Sequence, residues 1–265
     1  MTGCILIRYS EIGLKGNNKN DFELKLIRNI NSQLKKEGIK AERIKRLFSR
    51  ILIITDKTPD LTSVFGIASY STAKIVPLNT DDMKKHIASL IKDYNKDISF
   101  RISAKRLDKE FHLDSMGIER ELGSFVVEKT GAKVNLKNFD KEIGLDILRN
   151  EAIIFNNRIK GPGGLPAGIE GNALALIENK DSVKAAILAM KRGCDIFPVG
   201  FKKTDIFELE KYSPKKLSFE LISSIEELDK YGEKVDAKAV IVGQKLESFK
   251  DINTKLMVLR PLISL

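Results

Sequence analysis

Ala173-Leu-Ala-Leu-Ile177, Glu178-Asn-Lys-Asp181, Ser182-Val-Lys-Ala-Ala-Ile-Leu-Ala-Met-Lys-Arg-Gly193 and Cys194-Asp-Ile-Phe-Pro-Val-Gly200 follow one another as strand, loop, helix and second strand. The first run is short and apolar, of the kind buried in parallel sheets. Ser182 is the expected helix N-cap. Val183, Ala186, Ile187 and Met190 then recur at helical spacing, Lys191 and Arg192 fall in the last turn, and Gly193 can close the helix. In such a unit a nucleotide phosphate sits at the loop between first strand and helix, where backbone N–H groups and the helix dipole both point. Residues 178–181 contain no glycine.

Downstream, Leu217–Ser223, Ala237–Val242 and Leu256–Pro261 are further apolar runs, and Glu226–Tyr231 suits a helix of a turn or two. Together these elements predict a small parallel sheet with helices, abbreviated for a nucleotide-binding domain. Immediately upstream, Lys160-Gly-Pro-Gly-Gly-Leu-Pro-Ala-Gly168 is rich in glycine and proline and reads as a hinge and domain boundary.

Before that boundary two regions alternate strands with helices. Residues 3–9 predict a strand. Asn20 or Asp21 can cap a helix carrying Phe22, Leu26, Ile27, Ile30 and Leu34 on one face, with Gly38 as its stop. Strands at 40–48 and 50–55, a short helix at 61–66 and a strand at 72–78 complete a βαββαβ pattern of ferredoxin-like type. A helix from Asp81 to Asp93 opens the second region. Ile98–Ala104 follows as a half-buried strand, Ser115 opens a helix bearing Ile118, Leu122, Phe125 and Val126, and Asp140–Leu148 and Glu151–Ile159 read as paired strands. The expected domains are therefore 1–78, 79–168 and 169–265, α+β in the first two and α/β in the third.

The charge is unevenly placed along the chain. Of 265 residues, 46 are Lys or Arg and 36 Asp or Glu, giving +10; residues 1–165 carry +9 of this and the remainder +1. A basic excess confined to one part of a chain favours a polyanionic partner, nucleic acid first, although a lysine-rich surface also serves solubility. Arg101, Lys105, Arg106 and Lys109 with Phe111 and His112 interleave cations and aromatic rings beside a helix start, as phosphate reading and base stacking require; Lys133, Lys137, Arg158 and Lys160 add cations. Arg43, Lys45, Arg46 and Arg50 suit either a phosphate track or a solvated face. Cys4 and Cys194 show no metal-ligand spacing, so neither a zinc site nor a disulfide framework is expected. No apolar run reaches the length of a membrane span, and a strand-like start replaces a signal peptide; a cytoplasmic protein without membrane partners is expected.

Several segments together resemble the family of tRNA 4-thiouridine synthetases, also called ThiI thiamine biosynthesis proteins. They are Ile5-Leu-Ile-Arg-Tyr-Ser-Glu-Ile-Gly-Leu-Lys-Gly16, Arg101-Ile-Ser-Ala-Lys-Arg106, Ile118-Glu-Arg-Glu-Leu-Gly123, Ile159–Gly168, Met190-Lys-Arg-Gly-Cys194 and Leu259-Arg-Pro-Leu-Ile263. The resemblance implies a ferredoxin-like domain, a THUMP domain that binds tRNA, and a PP-loop pyrophosphatase domain that adenylates a uridine before sulfur replaces its oxygen. It implies that the first two domains grip the tRNA acceptor region, which strengthens Arg101, Lys105 and Arg106 as RNA contacts and adds Arg120.

The third domain departs from that pattern. The family reads S-G-G-x-D-S where this chain has Glu178-Asn-Lys-Asp-Ser182, one residue shorter and without either glycine; only Asp181 and Ser182 align with it. Glycines there let N–H groups approach a pyrophosphate, and a glutamate brings negative charge toward it. The later polar, glycine-rich loop aligns with Gly243-Gln-Lys-Leu-Glu-Ser-Phe-Lys-Asp251 and is also altered. Family members continue beyond the Arg260-Pro-Leu-Ile263 segment with a sulfur-carrying cysteine, and Cys194 reads as structural. The expectation is a tRNA-binding protein with a degenerate, non-catalytic third domain, no cofactor, and a separate tRNA-modifying enzyme as partner. The alternative is an active tRNA sulfurtransferase using ATP and magnesium. A small-molecule or nucleotide sensor in the reduced domain is a third reading, and the oligomeric state is left open, with a homodimer allowed.

Overall fold

The computed structural model describes residues 2–9, 11–108 and 110–264. Its chain divides into two compact units. The first comprises Met1–Arg8, Lys40–Thr58 and Ser69–Ile159, and the second Tyr9–Ile39, Pro59–Ala68 and Lys160–Leu265.

In the first unit, β1 (Thr2–Arg8) is buried along nearly its whole length, as its unbroken apolar run dictates. It pairs antiparallel with β3 (Arg50–Ile54), from Cys4 opposite Ile54 to Arg8 opposite Arg50, and with β4 (Ser69–Pro77). The remaining strands are β2 (Arg43–Leu47), β5 (Ser99–Arg106), β6 (Lys133–Val134), β7 (Lys141–Ile147) and β8 (Glu151–Phe155). The sheet runs β2-β3-β1-β4-β8-β7-β5-β6, with β9 (Ile159–Lys160) as a ninth strand off that path. The first four strands thus take the order of a ferredoxin-like sheet. The join to the rest is the antiparallel pairing of β4 with β8, where Ala73 faces Phe155.

Two helices cover one face of that sheet. In α2 (Thr80–Leu90), Met83 and Ile87 point inward, and in α3 (Ser115–Thr130) Ile118, Leu122 and Val126 do; they pack with Phe100, Ile102, Ile143, Leu145 and Ile154. Asp114 caps α3 by accepting the Gly117 N–H at 2.7 Å, and Gly131 ends it.

The second unit holds α1 (Lys19–Lys36) and a parallel sheet. Its α1 starts at Lys19, ahead of the expected caps, because a 3₁₀ turn at Gly16–Asn18 leads directly into it. The predicted helix at 61–66 is a pair of turns instead. Asp60 accepts the Thr62 N–H at 2.9 Å, and Gly66 turns the chain at a φ of 99°, so the apolar spacing of Leu61, Val64 and Phe65 fills a core without a helix.

The sheet consists of β10 (Asn172–Leu176), β11 (Asp195–Gly200), β12 (Glu220–Leu221), β13 (Ala237–Ile241) and β14 (Met257–Leu259), in the order β12-β11-β10-β13-β14 with all neighbours parallel. Ala173, Ala175 and Ile177 face α4 (Lys180–Lys191) and α5 (Phe207–Tyr212); Leu174 and Leu176 face the side of α6 (Ile225–Lys234). This is a doubly wound α/β layer whose strand order reverses beside β10. The apolar run at 217–223 contributes only two paired residues.

The Gly/Pro segment 160–168 is tied down by backbone hydrogen bonds. Gly163 donates to Ile67 at 2.8 Å, and Leu165 donates to Lys191 at 2.9 Å. Gly164 has a φ of 75°, and a Cβ there would lie 2.3 Å from the Lys191 carbonyl oxygen, so only glycine fits this crossing.

Candidate functional site

In the first unit, alternation along β5 puts Arg101, Ser103 and Lys105 on one face and Phe100, Ile102 and Ala104 on the other. Arg101 is half-buried. It donates to Glu142 Oε1 at 2.6 Å, its register partner on β7, and its guanidinium lies 4.1 Å over the Phe139 ring. Lys105 is exposed, while Arg106 is half-buried and donates to the Phe111 carbonyl at 3.4 Å.

Arg120 is exposed on α3 and lines an apolar cleft of about 630 Å³ with Phe100, Ile102, Met116, Val134 and Leu136. Lys133 and Lys137 are exposed on the chain segment that supplies Val134 and Leu136 to it. His112 belongs elsewhere: it is exposed, its ring centroid lies 4.3 Å from that of Phe111, and it lines a separate cleft with Asn79 and Arg149. Lys160 is exposed at the end of β9, where the second unit resumes, and Lys109 lies outside the described residues. The sequence-selected cations are therefore spread over several surfaces.

A second cationic group joins Arg50, Arg101 and Arg158, each named from the sequence, to Arg8, which was not singled out there. Arg8, at the end of β1, is only 7% exposed. Its Nη1 donates to Ser71 Oγ at 2.9 Å, and its guanidinium lies 4.3 Å over the Phe155 ring. Opposite it, Arg50 Nε donates to Asp146 Oδ2 at 3.0 Å. Glu142 serves Arg101 and stands 3.9 Å from Arg158. Burial, then the neighbouring charge of Arg158 and more weakly that of Arg50, push the Arg8 pKa down to about 10, against a favourable contribution from Asp146. The signal available in the sequence was an arginine closing an otherwise apolar strand.

In the second unit, the strand-order reversal beside β10 opens a cleft of about 370 Å³ lined by Glu178, Asn179, Ser182, Gly243 and Gln244. This is where doubly wound sheets take their ligands. The helix cap differs from the expected Ser182. Asn179 is extended, and its Oδ1 accepts the Ser182 N–H at 3.0 Å; Ser182 is instead inside the first turn, with its Oγ accepting the Glu178 N–H at 3.2 Å. An Asn with an extended backbone reaches N3 in this way, which Ser182, already helical, cannot. Asp181 pairs with Lys245 at 3.4 Å. Gly243 lies against the helix start so closely that a Cβ would be 2.3 Å from the Ser182 nitrogen. Arg260 Nε donates to Gln244 Oε1 at 2.9 Å and stacks over Phe249 at 4.6 Å, which fixes the loop after β13. Cys194 is partly exposed, and burial pushes its thiol pKa up, away from the thiolate form.

A ferredoxin-like sheet continued into strands covered by α2 and α3, in a chain whose second unit carries a doubly wound sheet, is the fold of a THUMP-containing protein, and the match of residues 58–157 places the chain in that class. Residues 4–71 match the ThiI ferredoxin-like domain, and residues 58–157 match the THUMP domain. The chain belongs to the tRNA sulfurtransferase family: it is 33% identical over 270 residues to a probable tRNA sulfurtransferase of Methanocaldococcus jannaschii, covering 94% of this chain and 68% of that one. It spans about half the length of other curated relatives, such as the probable tRNA sulfurtransferase of Thermococcus kodakarensis, with 35% identity over 75% of this chain and 55% of that one. Among solved structures, a 4-thiouridine synthetase in complex with RNA and bound ATP superposes with a TM-score of 0.79 at 26% identity, covering 99% of this chain and 81% of that one. Among the described residues no helix is long and apolar enough to cross a membrane.

Proposed function

We propose that the chain binds tRNA through its first unit and acts in tRNA modification with a third domain that is not catalytic by itself. Membership of the family, the crystallised relative with RNA, and the N-terminal excess of cations support the first half. The exposed Lys105, Arg120, Lys133 and Lys137 are the residues proposed to meet the acceptor region's phosphates, with Arg106 next to Lys105 on β5 and His112 contributing from its separate cleft.

One observation carries the second half: the Ser182 N–H, which a nucleotide phosphate would need, is already taken by Asn179. Glu178 adds a carboxylate at the cleft mouth, and Asp181 is neutralised by Lys245. These residues are a poor fit for a magnesium triphosphate, because the Ser182 and Glu178 N–H groups are occupied by side chains and the Glu178 and Asp251 carboxylates on the lining oppose its charge, with Lys250 as the offsetting cation there. In this reading no cofactor is bound, and a separate enzyme modifies the delivered tRNA.

The second reading is an ATP-dependent tRNA uridine 4-sulfurtransferase. It is favoured by the open cleft at the strand-order reversal and by the ATP bound in the crystallised relative. Calorimetry of the full chain with ATP and magnesium separates the two: absence of heat is expected, and micromolar binding overturns the non-catalytic reading. Gel shift with tRNA across a salt series tests the first half, which fails if no salt-dependent affinity is found.

A further inference from the structure

One face of the sheet in the first unit has a buried apolar floor of Leu6, Leu52, Ala73, Ile153 and Phe155. At its end the described residues bring Arg8, Arg50, Arg101 and Arg158 together with Glu142 and Asp146. Both carboxylates are committed. Asp146 holds Arg50 at 3.0 Å, and Glu142 holds Arg101 at 2.6 Å. Among the described residues Arg8 has only the Ser71 hydroxyl and the Phe155 face, and its Nη2 is buried with no hydrogen-bond acceptor from them.

A buried guanidinium N–H without an acceptor is expensive, and proteins retain such a group where something accepts from it. The acceptor that suits the place is an anion with several oxygens, because a guanidinium presents its N–H groups as a planar fork and the cluster carries excess positive charge. Arg158, in the exposed segment after β8, has its side chain 48% exposed, a 3.9 Å contact with Glu142 and its guanidinium 6.0 Å from the Phe155 ring centroid. It is the outer wall of the cluster and can swing aside.

We propose that Arg8, with Arg158 as its outer partner, forms a phosphate site on the first unit, occupied by a phosphate group of bound RNA. This rests on the RNA-binding reading above and adds to it a specific anchoring point away from the exposed lysines. The phosphate accepts from Arg8 Nη2, while Arg158 leaves Glu142 to face it. Ser71 and Phe155 hold the Arg8 fork in orientation and make the position selective for a charge that can enter over an apolar rim.

The test uses the full chain, Arg8→Met, Arg158→Met and the control Lys92→Met, an exposed lysine outside the cluster. tRNA affinity is measured across a salt series. Loss of one phosphate contact is expected to reduce the slope of log affinity against log salt by about 0.7–0.9 and to weaken binding severalfold in Arg8→Met and Arg158→Met, with Lys92→Met unchanged. Because Arg8→Met could disturb the fold, Arg158→Met on the exposed segment and Arg8→Lys, which keeps the charge, accompany it; Arg8→Lys should recover part of the slope. If the native chain binds tRNA and all variants keep its slope, the site is overturned while the RNA-binding reading stands. If the native chain does not bind tRNA, that reading fails, and titration with inorganic phosphate alone decides the site: a saturable shift of the Arg8 side-chain Nε–H resonance retains it for free phosphate, and no shift overturns it.

Discussion

Arg50 and Asp146 form an ion pair at 3.0 Å between β3 and β7, with side chains only 11% and 4% exposed. The two residues are 96 positions apart, and the pair ties the ferredoxin-like strands to the THUMP strands within one sheet. Removing one partner leaves a buried charge uncompensated, which costs about 3–5 kcal/mol. Asp146→Ala is therefore expected to lose most of that in urea unfolding, whereas Arg50→Met combined with Asp146→Leu should recover much of it. A loss under about 1 kcal/mol for the single change would show that the pair is solvated.

The close approach of Gly243 to α4 makes a sharper packing prediction. Its added Cβ would sit 2.3 Å from a backbone nitrogen, which cannot rotate away as a side chain can. Gly243→Ala should therefore cost about 1–3 kcal/mol by overpacking and displace the loop that carries Gln244. Thermal unfolding of the variant beside the native chain measures this, and equal stability would mean that the loop and helix separate freely.

His86 supplies a pH dependence. It is buried in α2, and burial first, then the charge of Lys74, hold its pKa below the ordinary 6.5. The folded state therefore favours the neutral ring more than the unfolded chain does. Its contribution to stability is present above pH 6.5 and is lost as the pH falls through the lower folded value. His86→Gln should remove that part of the acid dependence, so its stability relative to the native chain should rise between neutral pH and pH 5. A constant difference across that range would place His86 outside the linkage.

What the sequence disclosed and what it withheld follow from the range of the interactions. Phe22, Leu26, Ile30 and Leu34 announce α1 because a helix face repeats locally, and the alternation in Ile98–Ala104 announces β5 for the same reason. Leu61, Val64 and Phe65 carry a helical spacing too, but a side-chain turn at Asp60 and the left-handed Gly66 override it. The pairing of Ala73 with Phe155 and the isolation of Arg8 Nη2 depend on strands far apart in the chain, so no local pattern encodes them. At the cleft, the missing glycines were visible in residues 178–181, whereas the identity of the cap was not. Asn179 and Ser182 are both good caps by type, and only the extended backbone of Asn179 decides between them.

That cap also gives the most direct test of the third domain. If an occupied Ser182 N–H and the Glu178 carboxylate are what exclude a triphosphate, then freeing one and removing the other should restore some affinity. Glu178→Gly with Asn179→Gly does both, and glycine in place of an asparagine cap costs only a few tenths of a kcal/mol, so the helix should survive. We expect ATP with magnesium to bind the double variant at least about tenfold more tightly than the native chain, a gain of about 1.4 kcal/mol, by calorimetry, with tRNA affinity unchanged. Asn179→Ala alone should lose about 1 kcal/mol of stability and gain less affinity, because Glu178 remains at the mouth. An unchanged affinity in the double variant would shift the cause of exclusion to the fixed loop around Gln244 and Arg260, which the substitutions leave in place.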